Sequence, residues 1–203
     1  KDLPDVLGRL SPRLAKDTLI ISSAAGVTLE SVRAAAGPEP AVFRIMPNIG
    51  VELGEGVVAV AAETGTSADM LARVTDLLTP LGLVEVVGEE LFDAVTAASG
   101  SSIAFLALAL EGMEDGAVQA GMPRASARAF VRQTALAGAM LLRQHPGSAA
   151  DIKDQVSSPA GTTIAGLAAL EDAGVRGAFM RAIEQATARG RAMRDAARPR
   201  VLE

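Results

Sequence analysis

Apolar residues change their spacing once along this chain, and that change divides it in two. Over Leu3–Ala15, the residues Leu3, Val6, Leu7, Leu10 and Leu14 recur at three- and four-residue steps, which predicts an amphipathic helix. Thr18–Ser23 is instead a short β-branched apolar run that closes on Ala24-Ala25-Gly26, the pattern of a buried strand and a turn. Thr28–Ala36 returns to helical spacing, with Thr28 placed to cap it and Glu30 in its first turn. Further strands are predicted over Ala41–Met46, Val57–Ala62 and Val84–Val87, with a helix over Ser67–Leu81. Alternating strands and helices predict a parallel, doubly wound sheet. Beyond Gly88 the strand pattern stops. Helices are predicted over Glu90–Ala98, Ser101–Ala120, Arg124–Arg143, Ala149–Val156, Thr163–Ala173 and Val175–Arg194, with Pro123, Pro146-Gly147, Pro159 and Gly174 between them. The boundary falls at about Val87–Glu90, giving an α/β part over 1–88, an all-α part over 89–195 and a polar tail over 196–203 expected to be disordered. Ile103–Leu110 is apolar on every side, so it must be covered, either within its own domain or by a second subunit.

Composition narrows the chemistry. Of 203 residues 49% are hydrophobic but only 2% aromatic, so small aliphatic side chains must fill the interior. The net charge of −5 and the absence of Trp and Tyr remove both the basic face and the stacking platforms that nucleic acid requires, and no nucleic-acid partner is expected. With no Cys, thiolate zinc sites and cysteine nucleophiles are excluded. The single histidine, His145, precedes Pro146-Gly147 and reads as a cation at a helix exit. The longest uninterrupted apolar run, Ile103–Leu110, is far shorter than the roughly 18 residues of a membrane span. With no secretory leader visible at Lys1, a cytoplasmic protein without membrane contact is expected.

Two short blocks carry candidate chemistry. Val156–Gly166 gathers two serines, a proline, a glycine and two threonines at the start of a predicted helix. Free amides at such a start, with hydroxyls beside them, suit a small anion such as a carboxylate; an ordinary capped turn is the alternative. Met46-Pro47-Asn48 ends a predicted strand, where parallel sheets bind ligands. Asn48 there would either donate and accept hydrogen bonds to a bound ligand or close a plain Asx turn. Gly54-Glu55-Gly56-Val57-Val58-Ala59 matches the dinucleotide fingerprint formally, but it opens a strand rather than a helix and is read as a decoy. Glu111, Glu114 and Asp115 fit a solvated or interface helix face, and Glu55 and Asp93 have no partner by spacing, so no carboxylate is assigned to catalysis.

Taken together, Arg44–Asn48, Gly54–Gly56, the Asp93–Phe105 block (Asp-Ala-Val-Thr-Ala-Ala-Ser-Gly-Ser-Ser-Ile-Ala-Phe), Gly121–Arg124 and Val156–Gly166 resemble, in order and spacing, the pyrroline-5-carboxylate reductase family from about Lys1 to Arg194. The resemblance implies a partial Rossmann-like domain, the second half of a doubly wound parallel sheet, followed by an all-α dimerisation domain. It implies hydride transfer from NADP(H) or NAD(H) to a cyclic imino acid, and an interlocked homodimer, with a ring of dimers as the larger assembly. Carried over by position, Ser158 and Thr163 are the catalytic candidates. Ser158, Gly161, Thr162, Thr163, Ser99 and Ser101 would bind substrate, and Ala25, Gly26, Met46, Pro47 and Asn48 the cofactor. The chain departs from the family's usual residues at Ile49-Gly50, Ser102-Ile103, Phe105 and Ala160, the last standing where glycine is usual, so a related cyclic imino acid stays open as substrate. The family's nucleotide turn would fall before Lys1. The chain as given is therefore expected to bind NADPH weakly, and a non-catalytic dimerisation module is the alternative reading. A hydroxyacid-dehydrogenase reading is disfavoured, since no lysine lies in Glu90–Ala120.

Overall fold

The computed structural model describes residues 3–15 and 17–197. They form two compact units: one takes in the residues up to Ser102 and those from Ile183 onward, the other is Ile103–Ala182.

The first unit is built on a four-stranded sheet in the order β1 (Leu19–Ser22), β2 (Ala41–Pro47), β3 (Gly56–Ala62), β4 (Gly82–Val86). Helix α1 (Leu3–Leu10) is shorter than its apolar spacing predicts, because Pro12 disfavours helix at Ser11 and a single 3-10 turn follows over Ser11–Arg13. Helix α2 (Leu29–Ala36) crosses from β1 to β2, and α3 (Ala68–Leu78) from β3 to β4, so both of those pairs are parallel. Thr28 caps α2 as expected, its hydroxyl accepting the Ser31 N–H at 3.2 Å.

One pairing departs from the expected all-parallel sheet: β2 and β3 run antiparallel, with Arg44 opposite Ala61 and Pro47 opposite Val58. The reason is length. Only the segment 48–55, folded as a 3-10 turn at Ile49–Leu53 and a left-handed Gly54 (φ +70°), joins the two strands, and a parallel crossover needs a dozen residues or more. Gly56 then opens β3 and no helix follows, so the Gly54–Ala59 fingerprint is a decoy, as its context indicated.

Each face of the sheet carries its own core. Val42, Ala59 and Ala61 pack with Leu7, Leu29, Val32 and Phe92 on one side; Phe43, Ile45, Val58 and Val60 pack with Val74 and Leu78 on the other. This is the period-two alternation of strands buried on both faces. The guanidinium of Arg44 lies in the first of these layers, 4.6 Å from the Phe92 ring centroid and 2.8 Å from Glu89 Oε1, which also accepts the Leu29 N–H at the start of α2.

After β4 the chain turns through Glu89–Leu91 into α4 (Phe92–Val95), a π-helical stretch over Thr96–Ser101 and α5 (Ser102–Gln119). Two separate helices were expected here. Instead Glu89–Gln119 is one continuous helix, long and apolar enough by length and composition to cross a membrane, with 17% of its most apolar window buried in the single chain. The apolar stretch reaches beyond the uninterrupted run Ile103–Leu110 because the small residues of Thr96–Ser102 extend it without being strongly hydrophobic. The second unit continues α5 and adds α6 (Arg124–Gln144), α7 (Ala149–Gln155), α8 (Thr162–Asp172) and the start of α9 (Val175–Ala197). Of the expected tail, 198–203 lies outside the described residues, and α9 reaches Ala197.

Candidate active site

In the second unit, α7 ends at Gln155 and Ser157 closes its last turn, its hydroxyl donating to the Lys153 carbonyl at 2.7 Å. A β-turn follows, with the Gly161 N–H donating to the Ser158 carbonyl at 3.1 Å. Pro159 takes the second position, where its fixed φ fits, and Ala160 the third at φ +56°, a conformation that favours glycine. Gly161 is then the N-cap of α8, and a Cβ on it would lie 2.2 Å from Ser158 Oγ, so only glycine fits. A glycine cap offers no side-chain acceptor. The amides of Thr162, Thr163 and Ile164 therefore stay uncapped at the positive end of the helix dipole, in a loop with no charged side chain from Val156 to Gly166. Gly161's own amide, included in the expected cradle, is spent within the turn. Among the described residues, the hydroxyls of Ser158, Thr162 and Thr163 make no internal hydrogen bond, and Thr163 is half-buried. At the far end of α8, the Arg176 guanidinium hydrogen-bonds Glu171 and holds its carboxyl below the usual range. The loop thus presents amides and hydroxyls only, the donor set that receives a small carboxylate.

Ala160 makes that loop testable. Left-handed geometry costs a non-glycine residue about 1–2 kcal/mol, while glycine adds roughly 0.5–1 kcal/mol of unfolded-chain entropy. Ala160→Gly should therefore raise stability by up to about 1 kcal/mol, about 2–4 °C in Tm by calorimetry; a lower Tm would show that the turn is not strained.

In the first unit, β1 and β2 are parallel, so their carboxyl ends open on the same edge of the sheet. Ser23–Gly26 leaves β1 in a turn of small residues with Gly26 at φ +75°, leaving room for a ligand near the main chain at Ala25 and Gly26. Met46, Pro47 and Asn48 leave β2 beside it, all half-buried. Asn48 forms the Asx turn: Oδ1 accepts the N–H groups of Gly50 and Val57, each at 3.1 Å, and Nδ2 donates to the Ser99 carbonyl at 3.0 Å. Its carboxamide is thus largely committed to the protein.

Ser99-Gly100-Ser101 lies inside the π-helical stretch rather than in a turn between helices. Hydroxyls sustain the wider winding: Thr96 donates to the Phe92 carbonyl (2.7 Å), Ser99 to Val95 (2.8 Å) and Ser102 to Ala97 (2.9 Å). Such single π turns recur at functional sites. Of these serines only Ser101 keeps a hydroxyl with no internal hydrogen bond among the described residues.

Two expectations about charged groups change. Asp93 does have a partner, Arg194 at 2.5 Å, and Gly190 leaves room for the carboxylate; a separation of about a hundred residues hid the pair. Glu114 is buried rather than solvated, between Arg128 (3.4 Å) and Arg132 (3.5 Å). His145 stands at the exit of α6, as expected, with Nδ1 3.0 Å from the Gly147 nitrogen and Nε2 3.2 Å from the Gln155 carboxamide nitrogen.

The strand-end loops and the helical region together define a Rossmann-like dinucleotide fold joined to an all-α segment. Residues 89–193 match the family model for pyrroline-5-carboxylate reductase dimerisation. A pyrroline-5-carboxylate reductase of Synechocystis is 42% identical over 183 residues, 89% of this chain and 68% of that protein. Among solved structures, a pyrroline-5-carboxylate reductase of Coxiella burnetii superposes with a TM-score of 0.90 at 27% identity, over 95% of this chain and 72% of the other. A Plasmodium falciparum pyrroline carboxylate reductase with NADP bound gives a TM-score of 0.81 at 26% identity, over 95% and 77%. The chain belongs to the pyrroline-5-carboxylate reductase family.

Proposed function

We propose that this protein reduces the C=N bond of 1-pyrroline-5-carboxylate to give L-proline, working as a cytoplasmic homodimer, with rings of dimers as the larger assembly. The observation that carries the reading is the uncapped start of α8, where amides and free hydroxyls converge with no charged side chain to compete for the substrate's carboxylate. NADP(H) or NAD(H) fits the first unit, since the small-residue turn at Ala25-Gly26 and the Met46-Pro47-Asn48 loop open on one sheet edge, where such folds take their cofactor. When bound, it supplies the hydride.

The remaining work falls to this chain's own groups. Thr162, Thr163 and Ile164 amides, with the Ser158 hydroxyl, hold the carboxylate, and the Thr163 hydroxyl orients the ring; Ser99 and Ser101 of the π stretch are carried over as substrate residues by the family resemblance. As hydride adds to the imine carbon, the C=N π pair moves to a nitrogen that already carries its proton, so the product is the neutral amine and a strong general acid is not required. That accords with a site built without Cys, Tyr or a free His. We place the functional division at Gly88, with 1–88 as the nicotinamide-binding portion and 89–195 as the substrate-binding and dimerising portion; the family match beginning at residue 89 supports this. The apolar flank of the Glu89–Gln119 helix is then covered by a second copy rather than by lipid.

Crystals soaked with L-proline test the reading. Density for the carboxylate at the Thr162–Ile164 amides is expected; an empty loop with density elsewhere overturns it.

A further inference from the structure

We infer that Asn48 is a positioning residue, a strut that fixes the π-helical stretch carrying Ser99 and Ser101 against the end of β2. The inference rests on the reductase reading for its kinetic part only.

A π turn changes the hydrogen-bond ladder, and the carbonyls around it must find other donors or water. Three hydroxyls donate to the carbonyls of Phe92, Val95 and Ala97 along this helix. The Ser99 carbonyl receives its donor from outside the helix, from Asn48 Nδ2 at 3.0 Å. Asn48 is itself immobilised from the other side, since Oδ1 is gripped by the amides of Gly50 and Val57. Gly50 cannot carry a side chain there, because a Cβ would stand 2.9 Å from the Glu55 carbonyl and 3.1 Å from Asn48 Oδ1. The carboxamide is thus a rigid link of fixed length between the β2–β3 connection and the π stretch.

Geometry elsewhere in the unit agrees. Glu89, at the start of the same helix, is fixed to Arg44 in β2, four residues before Asn48. Ten residues of helix rise about 15 Å and four of strand about 13 Å, so the opening segment of the helix, Glu89 to Ser99, runs beside β2 and is held at each end of that segment. Arg44–Glu89 sets where it starts, and Asn48–Ser99 sets where the serines stand.

Asn48→Asp separates this role from its alternatives. The aspartate keeps the acceptor for Gly50 and Val57, loses the donor to Ser99 and sets a carboxylate against that carbonyl. Imine kcat/KM should fall at least tenfold, a larger change than that of the Kd for NADPH measured by fluorescence titration. Amide exchange of 96–102 should quicken at least fivefold, while that of the sheet is unchanged. An imine kcat/KM within twofold of wild type, or a loss confined to NADPH affinity, overturns the strut; so does unaltered exchange over 96–102. A wild-type enzyme that turns over no imine would instead sink the reductase reading, and exchange alone would then decide for or against the strut.

Discussion

Thr163→Ala is expected to lower kcat for imine reduction by about two orders of magnitude, the usual loss when one positioned hydrogen-bonding group is removed from an active site. The fold should barely register the change. Thr163 lies in the first turn of α8, its hydroxyl serves no internal hydrogen bond among the described residues, and alanine is the better helix former. Stability should therefore move by no more than about 0.5 kcal/mol, roughly 1–2 °C in Tm. The split between activity and stability is the diagnostic part, because a capping hydroxyl would do the opposite and cost about 1 kcal/mol of stability with little effect on turnover. Thr163→Ser, which restores the oxygen, should recover most of the rate. Steady-state kinetics and calorimetry on the same preparations decide; an alanine variant within a few-fold of wild type removes Thr163 from the site.

Much of this was readable from residue order, where the governing physics is local. Thr28 announced the start of α2 because its hydroxyl reaches an amide three residues on. Ser158–Thr163 announced a helix start because proline, glycine and hydroxyls suit that position and little else. β2 and β3 were visible because both of their faces are buried, leaving runs in which apolar residues nearly fill the strand. What stayed hidden depended on partners distant in sequence or on backbone detail. The antiparallel β2–β3 pair is signalled in the sequence only by the lack of a helix between Met46 and Val57. Nothing in Thr96–Ser101 distinguishes a π turn from a helix break, since the same small polar residues allow either. Asp93 and Arg194 meet only because α9 returns to the first unit. Ala160 is the instructive mismatch: proline before it and glycine after it spell a turn, yet the residue at the left-handed position is not the one that turn favours.

Leu108→Glu should convert the dimer to monomer, the largest effect expected of any single surface change in this chain. The second unit cannot bury its own apolar residues. Leu108 is 69% exposed, Leu106 and Met113 each 56% on the same helix, Phe130 63% on α6 and Met180 68% on α9. Between α5 and α6 lies a hollow of about 550 Å³, lined by Ala104, Ala107, Leu108 and Leu110 beside the Glu114–Arg128–Arg132 cluster. Exposure on this scale inside a segment that matches a dimerisation domain marks surface that a second copy covers. In a two-fold dimer the substitution counts twice. Losing about 2 kcal/mol of leucine burial per protomer already weakens association by roughly three orders of magnitude, before the cost of an unpaired interfacial carboxylate is added. Sedimentation velocity at micromolar protein should show a dimer for the parent and a monomer for the variant. Leu108→Met, which keeps volume and apolarity, should remain dimeric. A glutamate variant that sediments as a dimer would mean that α5 is not at the interface and that its apolar face is covered in some other way.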